Sequence, residues 1–222
     1  MKYSQLLTLL QLGLVLAVSA RAQDGIQLSP AANMDIYRAA GFNDGSDGAA
    51  PVDYAFSARA GRILEFSSVT GTWTCDVNTP PFGPDGITAL GPGCHPPTYI
   101  AEPIGTFSQF YATDFVGAMV GMFLADTLPT VAPPIGHFYV YDGKEGGIKT
   151  SFTALAPEVG QVFFIGDGLT GTGIGRPQAF VVPATATHLY LGFVDTCANF
   201  LPGCYSDNSG TLTATFGLYN IK

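Results

Sequence analysis

Six residues near the C-terminal end, Thr211-Leu212-Thr213-Ala214-Thr215-Phe216, alternate strictly between polar and apolar. A period of two puts Leu212, Ala214 and Phe216 on one face of an extended strand and the threonines on the other, which no helix does. With this one, candidate strands lie at 35–40, 52–58, 63–70, 115–124, 138–141, 162–165, 179–182, 189–194 and 211–218, separated by Gly, Pro and Asn. Short strands at such spacing predict an all-β chain folded as an antiparallel β-sandwich. No amphipathic helix, linker tract or strong internal repeat competes with that reading. The segment 76–108 breaks the rhythm with many prolines and glycines and reads as a long loop.

Residues 1–22 have the make-up of a secretory signal peptide. Lys2 gives the positive start, Leu6 to Val18 the apolar stretch, and Ala20-Arg21-Ala22 small residues around a cleavage point. The remaining 23–222 is expected to form a single domain, with a loosely ordered tail to about Asn33. Since 47% of the residues are hydrophobic and only 12% charged, a sizeable core can form. No later apolar run is long enough to span a bilayer as a helix, so a secreted or periplasmic protein without a membrane span follows. Seventeen acidic residues face nine basic ones, and losing Lys2 and Arg21 with the leader leaves seven basic. That balance excludes a nucleic-acid partner, which needs a basic face.

Four cysteines suit an oxidising compartment. Their proximity favours Cys75 with Cys94 and Cys197 with Cys204, although four cysteines allow three connectivities.

Chemistry concentrates in one stretch, Asp195-Thr-Cys-Ala-Asn-Phe-Leu-Pro-Gly-Cys-Tyr-Ser-Asp-Asn-Ser-Gly210. Asp195 closes an apolar strand, while Asp207 and Asn208 precede the alternating one. A hairpin between those strands would bring the three side chains to one end of the sandwich. Oxygen donors of this kind suit a hard cation such as Ca2+. Zinc or copper would call for histidine and cysteine in close register instead.

Other motifs are weaker. Gly166-Asp-Gly-Leu-Thr-Gly171 matches a dinucleotide fingerprint, yet Thr172-Gly-Ile-Gly-Arg-Pro177 cannot open the required helix, and a glycine-rich hairpin connection is the better reading. Asn43-Asp-Gly-Ser-Asp-Gly48 begins like a calcium loop but lacks the closing glutamate, which favours a plain acidic turn and leaves a minor cation site open. His95, His137 and His188 stand apart from one another. The glutamates Glu65, Glu102, Glu145 and Glu158 form no evident pair for glycoside hydrolysis, so a non-catalytic protein is expected.

Around these residues the chain resembles the PA-I galactophilic lectin family, calcium-dependent jelly-roll β-sandwiches that bind galactose. The resemblance rests on 189–195, on Pro202-Gly-Cys-Tyr-Ser-Asp-Asn-Ser-Gly210 with the strand after it, and on 61–73, 82–86 and 115–120. The chain is also similar to exported bacterial proteins carrying Phe-Phe-Ile-Gly-Asp-Gly-Leu-Thr-Gly-Thr-Gly, here 163–173.

The resemblance implies a calcium ion held by the side chains of Asp195, Asp207 and Asn208 and by the backbone carbonyls of Cys204 and Asp76. It further implies a carbohydrate whose hydroxyls bind the ion and the side chains of Asp195, Asp207 and Asn208. His95-Pro96 is the matching His-Pro pair of the sugar site, and Tyr205 is an aromatic candidate beside it. Two features depart from the family pattern: Asp207 stands where the family has an amide, and extra residues lie between Asp195 and Pro202. The identity of the sugar, and whether the chain forms a homo-oligomer, are left open. The alternative from another class is a structural or surface-interaction domain whose calcium only rigidifies loops.

Overall fold

A computed structural model describes residues 23–87, 98–100, 104–112, 117–131, 137–140, 150–197 and 200–220. The described elements are fourteen strands and two short 3-10 turns. Five strands form one sheet: β1 (Gln23–Leu28), β3 (Arg62–Thr74), β8 (Ala154–Leu155), β12 (Ala179–Val182) and β14 (Ser209–Asn220), in the order β1-β14-β3-β12-β8. A second sheet has four, in the order β2-β13-β6-β9: β2 (Val52–Ala55), β6 (Val120–Leu124), β9 (Val162–Phe164) and β13 (His188–Gly192). A smaller sheet joins β4 (Thr98–Ile100), β5 (Gln109–Ala112) and β7 (His137–Val140), and a two-stranded ribbon joins β10 (Leu169–Gly171) and β11 (Ile174–Pro177).

The two large sheets pack face to face, which makes the protein a β-sandwich. Alternation places Leu212, Ala214 and Phe216 of β14 in the buried core, beside Leu64 and Phe66 of β3 and Phe180 of β12. Leu189 and Leu191 of β13, the whole of β6 and the whole of β9 are buried on the other side. Ring pairs cross the interface: Phe163 meets Phe180 with centroids 5.4 Å apart, and Tyr54 meets Phe216 at 5.5 Å. Both sheets bury their inner residues in one core cluster.

Several expectations are corrected. The tail is not loose over 23–28: β1 pairs antiparallel with β14, so the long C-terminal strand has neighbours on both sides. The apolar run expected as a strand over 35–40 is instead a 3-10 turn, Ile36–Gly41. Asp35 caps it by accepting the Tyr37 N–H at 2.8 Å, and Ala40 turns the chain at φ 52°. Ile36, Tyr37 and Ala39 are fully buried there, so burial without regular alternation misled the reading. The expected hairpin between β13 and β14 is also absent. β13 pairs with β2 and β6, β14 with β1 and β3, and their connection crosses from one sheet to the other.

The glycine-rich reading of 166–175 holds. β10 and β11 form an antiparallel ribbon around Thr172-Gly173. Among the described residues no helix is long and apolar enough to cross a membrane.

Candidate functional site

The crossover from β13 to β14 lies at one end of the sandwich. Its entrance is rigid because Phe193 and Val194 are buried, and Phe193 packs on Trp73 with centroids 4.5 Å apart. Asp195 follows at once. Its carbonyl accepts the Gly203 N–H at 3.2 Å, and Thr196 bridges Pro202, so the two ends of this excursion meet. The Cys197–Cys204 disulfide, as expected from the sequence, ties the base of that excursion. Cys75 is disulfide-bonded as well, whereas Cys94, His95 and Pro96 lie outside the described residues.

Cys204 takes a left-handed conformation, φ 67° and ψ 23°, and feeds the 3-10 turn Tyr205–Asp207. A non-glycine residue holds this geometry only where its surroundings enforce it. Tyr205 does much of the enforcing. It is fully buried, and its hydroxyl accepts the Asp195 N–H at 3.0 Å and lies 3.4 Å from the Phe193 carbonyl. Tyr205, the aromatic candidate for the sugar site, is therefore a buried strut beneath the loop. Its hydroxyl is held well above the ordinary tyrosine range by burial and by the charges of Asp35 and Asp195.

The three acid and amide side chains singled out in the sequence are gathered here. The Asp195 carboxyl is pushed up to about 7, first by burial; bonds from the Asn208 side chain and the Thr196 N–H (2.7 Å) oppose the rise, and the charges of Asp207 and Asp47 add to it. Asp207 is also raised, by what burial it has and then by the charges of Asp76 and Asp47. Asn208 donates Nδ2–H to the Ala32 carbonyl at 3.2 Å, while its Oδ1 is buried and accepts nothing among the described residues. Asp76 sits just beyond the end of β3. Its carbonyl is 2.6 Å from the Thr74 hydroxyl, which leaves that oxygen a second lone pair.

One contributor was missed in the sequence. The acidic turn 43–48 docks on this loop: the Asp47 carboxylate accepts the Tyr205 N–H at 3.0 Å through Oδ1 and the Ser206 N–H at 3.1 Å through Oδ2. Burial works against the ionised form of Asp47, yet these backbone donors outweigh it and hold the carboxyl below its usual value. Behind it, Asp35 is fully buried and accepts the Ser46 hydroxyl at 2.6 Å. Its carboxyl is pushed up to about 8, by burial and then by a hydrogen bond shared with Asp44. An Asp-rich turn signals solvation in a sequence; only a partner 158 residues away reveals otherwise.

Chemically the site is a cluster of acidic side chains. Carboxylates from Asp47, Asp76, Asp195 and Asp207 influence one another across three chain segments. Among the described residues no three His, Cys, Asp or Glu side chains converge as a ligand set by themselves. Oxygens from an amide and from the backbone would have to complete any cation shell. Asp195 and Asp207 bring carboxyl oxygens to the loop and Asn208 a buried amide oxygen, the donor types that hard ions take.

His188 occupies a different place, on β13, where it faces Asp53 at 3.0 Å and Asp126 at 3.5 Å. No protein-family model, curated protein or solved structure matches the chain.

Proposed function

We propose that this is an extracytoplasmic, calcium-dependent carbohydrate-binding protein with a jelly-roll sandwich, acting by recognition and not by catalysis. The observation that carries the reading is the buried Oδ1 of Asn208, without a hydrogen-bond partner among the described residues, on a side chain that also bonds the Asp195 carboxyl, whose pKa is driven up to about 7 by burial and by neighbouring acids. A buried acceptor without a donor costs roughly 1–3 kcal/mol, and a cation removes that cost while neutralising the acids.

The side chains of Asp195, Asp207 and Asn208 and the carbonyls of Cys204 and Asp76 would hold the ion. Bound calcium supplies open coordination positions at which two adjacent sugar hydroxyls can replace water. Oxygens of Asp195, Asp207 and Asn208 would accept hydrogen bonds from those hydroxyls, with His95 and Pro96 as further candidate sugar contacts.

Calorimetry tests the proposal. The chain is titrated with calcium and then with an array of mono- and disaccharides, galactose among them, in calcium and in excess chelator. Calcium uptake followed by chelator-sensitive binding of at least one sugar is expected, and absence of calcium uptake overturns the reading. Calcium uptake with no sugar response supports the second reading, a structural or surface-interaction domain stiffened by the ion. The burial of Tyr205 favours that alternative, because it removes one aromatic surface a sugar could stack on.

A further inference from the structure

We propose that the 43–48 turn is a clamp on the cation loop and that Asp47 is its positioning residue, holding the Tyr205–Asn208 segment in the conformation that presents Asp207 and Asn208. The proposal rests on the cation reading above. Three independent features of the fold support it.

The first is the bond pattern. Asp47 spends both carboxylate oxygens on two consecutive amides, those of Tyr205 and Ser206. These open the 3-10 turn and have no acceptor within it. Charge-assisted bonds of this kind are about twice as strong as neutral ones.

The second is the mechanical backing of the clamp. Ala49 donates to the Asn33 carbonyl at 2.7 Å, Asp35 donates its N–H to Ala49 at 2.9 Å, and the Arg38 guanidinium donates to the Gly48 carbonyl. Gly48 is wedged so closely that a Cβ there would lie 2.5 Å from the Asp35 Cβ and 3.0 Å from the Tyr205 ring. The turn cannot sit where it does with a larger residue at 48. It is a fitted part rather than a loop lying against its neighbour.

The third is the strained entry. Cys204 adopts φ 67° immediately before the clamped amides, a conformation that relaxes when external restraints are lost. Asp47 also acts through space. Its charge reaches Asp195 and Asp207 and deepens the negative potential a cation meets, without Asp47 being a ligand. Holding the backbone and supplying charge can be separated by substitution. Asp47→Asn keeps one acceptor and removes the charge, whereas Asp47→Ala removes both.

The test uses the only tryptophan, Trp73, which packs on Phe193 two residues before Asp195 and can sensitise terbium luminescence. Terbium uptake and its displacement by calcium give the affinity, while amide hydrogen exchange in the calcium-free protein reads the clamp directly. Expected are a calcium affinity about 10-fold weaker in Asp47→Asn and about 100-fold weaker in Asp47→Ala. Exchange at Tyr205 and Ser206 should be at least about 10-fold faster in Asp47→Ala, with β14 amides unchanged.

A structural role unrelated to the site would not produce the graded loss in affinity together with exchange confined to two amides. If wild type binds calcium and Asp47→Ala binds it equally well with unaltered exchange, the clamp is overturned and the cation reading stands. If wild type takes up neither ion, the cation reading fails and the clamp falls with it. Should Asp47→Ala not fold, Asp47→Asn carries the same two measurements.

Discussion

Two aspartate-bearing loops of this protein, made of similar residues, treat their charge in opposite ways. In the glycine-rich ribbon, Asp167 accepts the Leu169 N–H at 2.8 Å with one oxygen and the Gly173 N–H at 2.6 Å with the other. Its own N–H donates to the Asp85 carboxylate at 2.8 Å. In the crossover loop, Asp195 and Asp207 face further acids, and the Asn208 Oδ1 faces no donor among the described residues. In the first loop backbone donors take up both oxygens of Asp167, although burial and then the charge of Asp167 raise the Asp85 carboxyl beside it; the second leaves an acceptor over. An Asp-Gly-rich stretch thus becomes a structural corner or a binding site according to whether local backbone donors are numerous enough to consume the carboxylates.

The sharpest way to break that comparison is to truncate both aspartates. Asp195→Ala removes a charged donor from the leftover set and should weaken calcium binding on the order of a thousandfold, about 4 kcal/mol, as read by calorimetry. Unchanged calcium affinity would show that the leftover acceptors are not a site. Asp167→Ala should do the reverse: about 3 kcal/mol of stability lost in urea unfolding, from two charge-assisted bonds to backbone donors, with calcium affinity unaltered. A calcium effect at Asp167 would dissolve the distinction between the loops.

The disulfide gives a smaller effect on both axes. Cys197 and Cys204 are separated by seven residues. Closing so short a loop is worth about 2.5 kcal/mol by chain entropy, so the Cys197→Ser/Cys204→Ser pair should unfold at correspondingly lower urea. Calcium at roughly 100 times its dissociation constant should restore about 2.7 kcal/mol to that variant and to wild type alike, if the ion alone can order the loop. A variant that binds no calcium would show the bridge to be a prerequisite for the site.

How far these distinctions are legible in the sequence depends on how local their causes are. The alternation of β14 is local, because the pleat imposes a period of two, and its inward residues were identified correctly. The crossover loop was legible as a cluster of oxygen donors, since Asp207 and Asn208 are neighbours and the Cys197–Cys204 staple is short. Its architecture was not. Whether β13 and β14 pair with each other or with strands elsewhere is settled by β2, β6, β3 and β1, and a hairpin was the wrong inference. Ile36 to Ala39 looked like a strand because a short apolar run says buried and leaves the backbone path undecided. Asp47 was hidden because its partners, the Tyr205 and Ser206 amides, lie across the fold, and composition alone says solvated turn.

Asp35 offers the last test, because it satisfies its carboxyl by a third route, sharing a hydrogen bond with another acid. Buried beneath the clamp, it meets Asp44, the Ser46 hydroxyl, the Tyr37 N–H and the Tyr205 hydroxyl, with Arg38 bound nearby to the Gly48 carbonyl. Burial and Asp44 raise its pKa from 3.8 to about 8. The sign follows from proton counting: between those values the folded state holds a proton that the unfolded chain has released. The stabilisation from this group is therefore complete below about pH 4 and is lost progressively as the pH rises through about 8. Calcium-free wild type should lose stability over that window with a contribution of at most about 1.4 kcal/mol per pH unit from this group. Asp35→Asn keeps the shape, removes the titrating proton and should flatten the slope by that amount in urea unfolding measured from pH 5 to pH 9. An unchanged slope would mean that Asp35 stays ionised in the fold, and the third way of closing a buried acid's electrostatics would have to be given up.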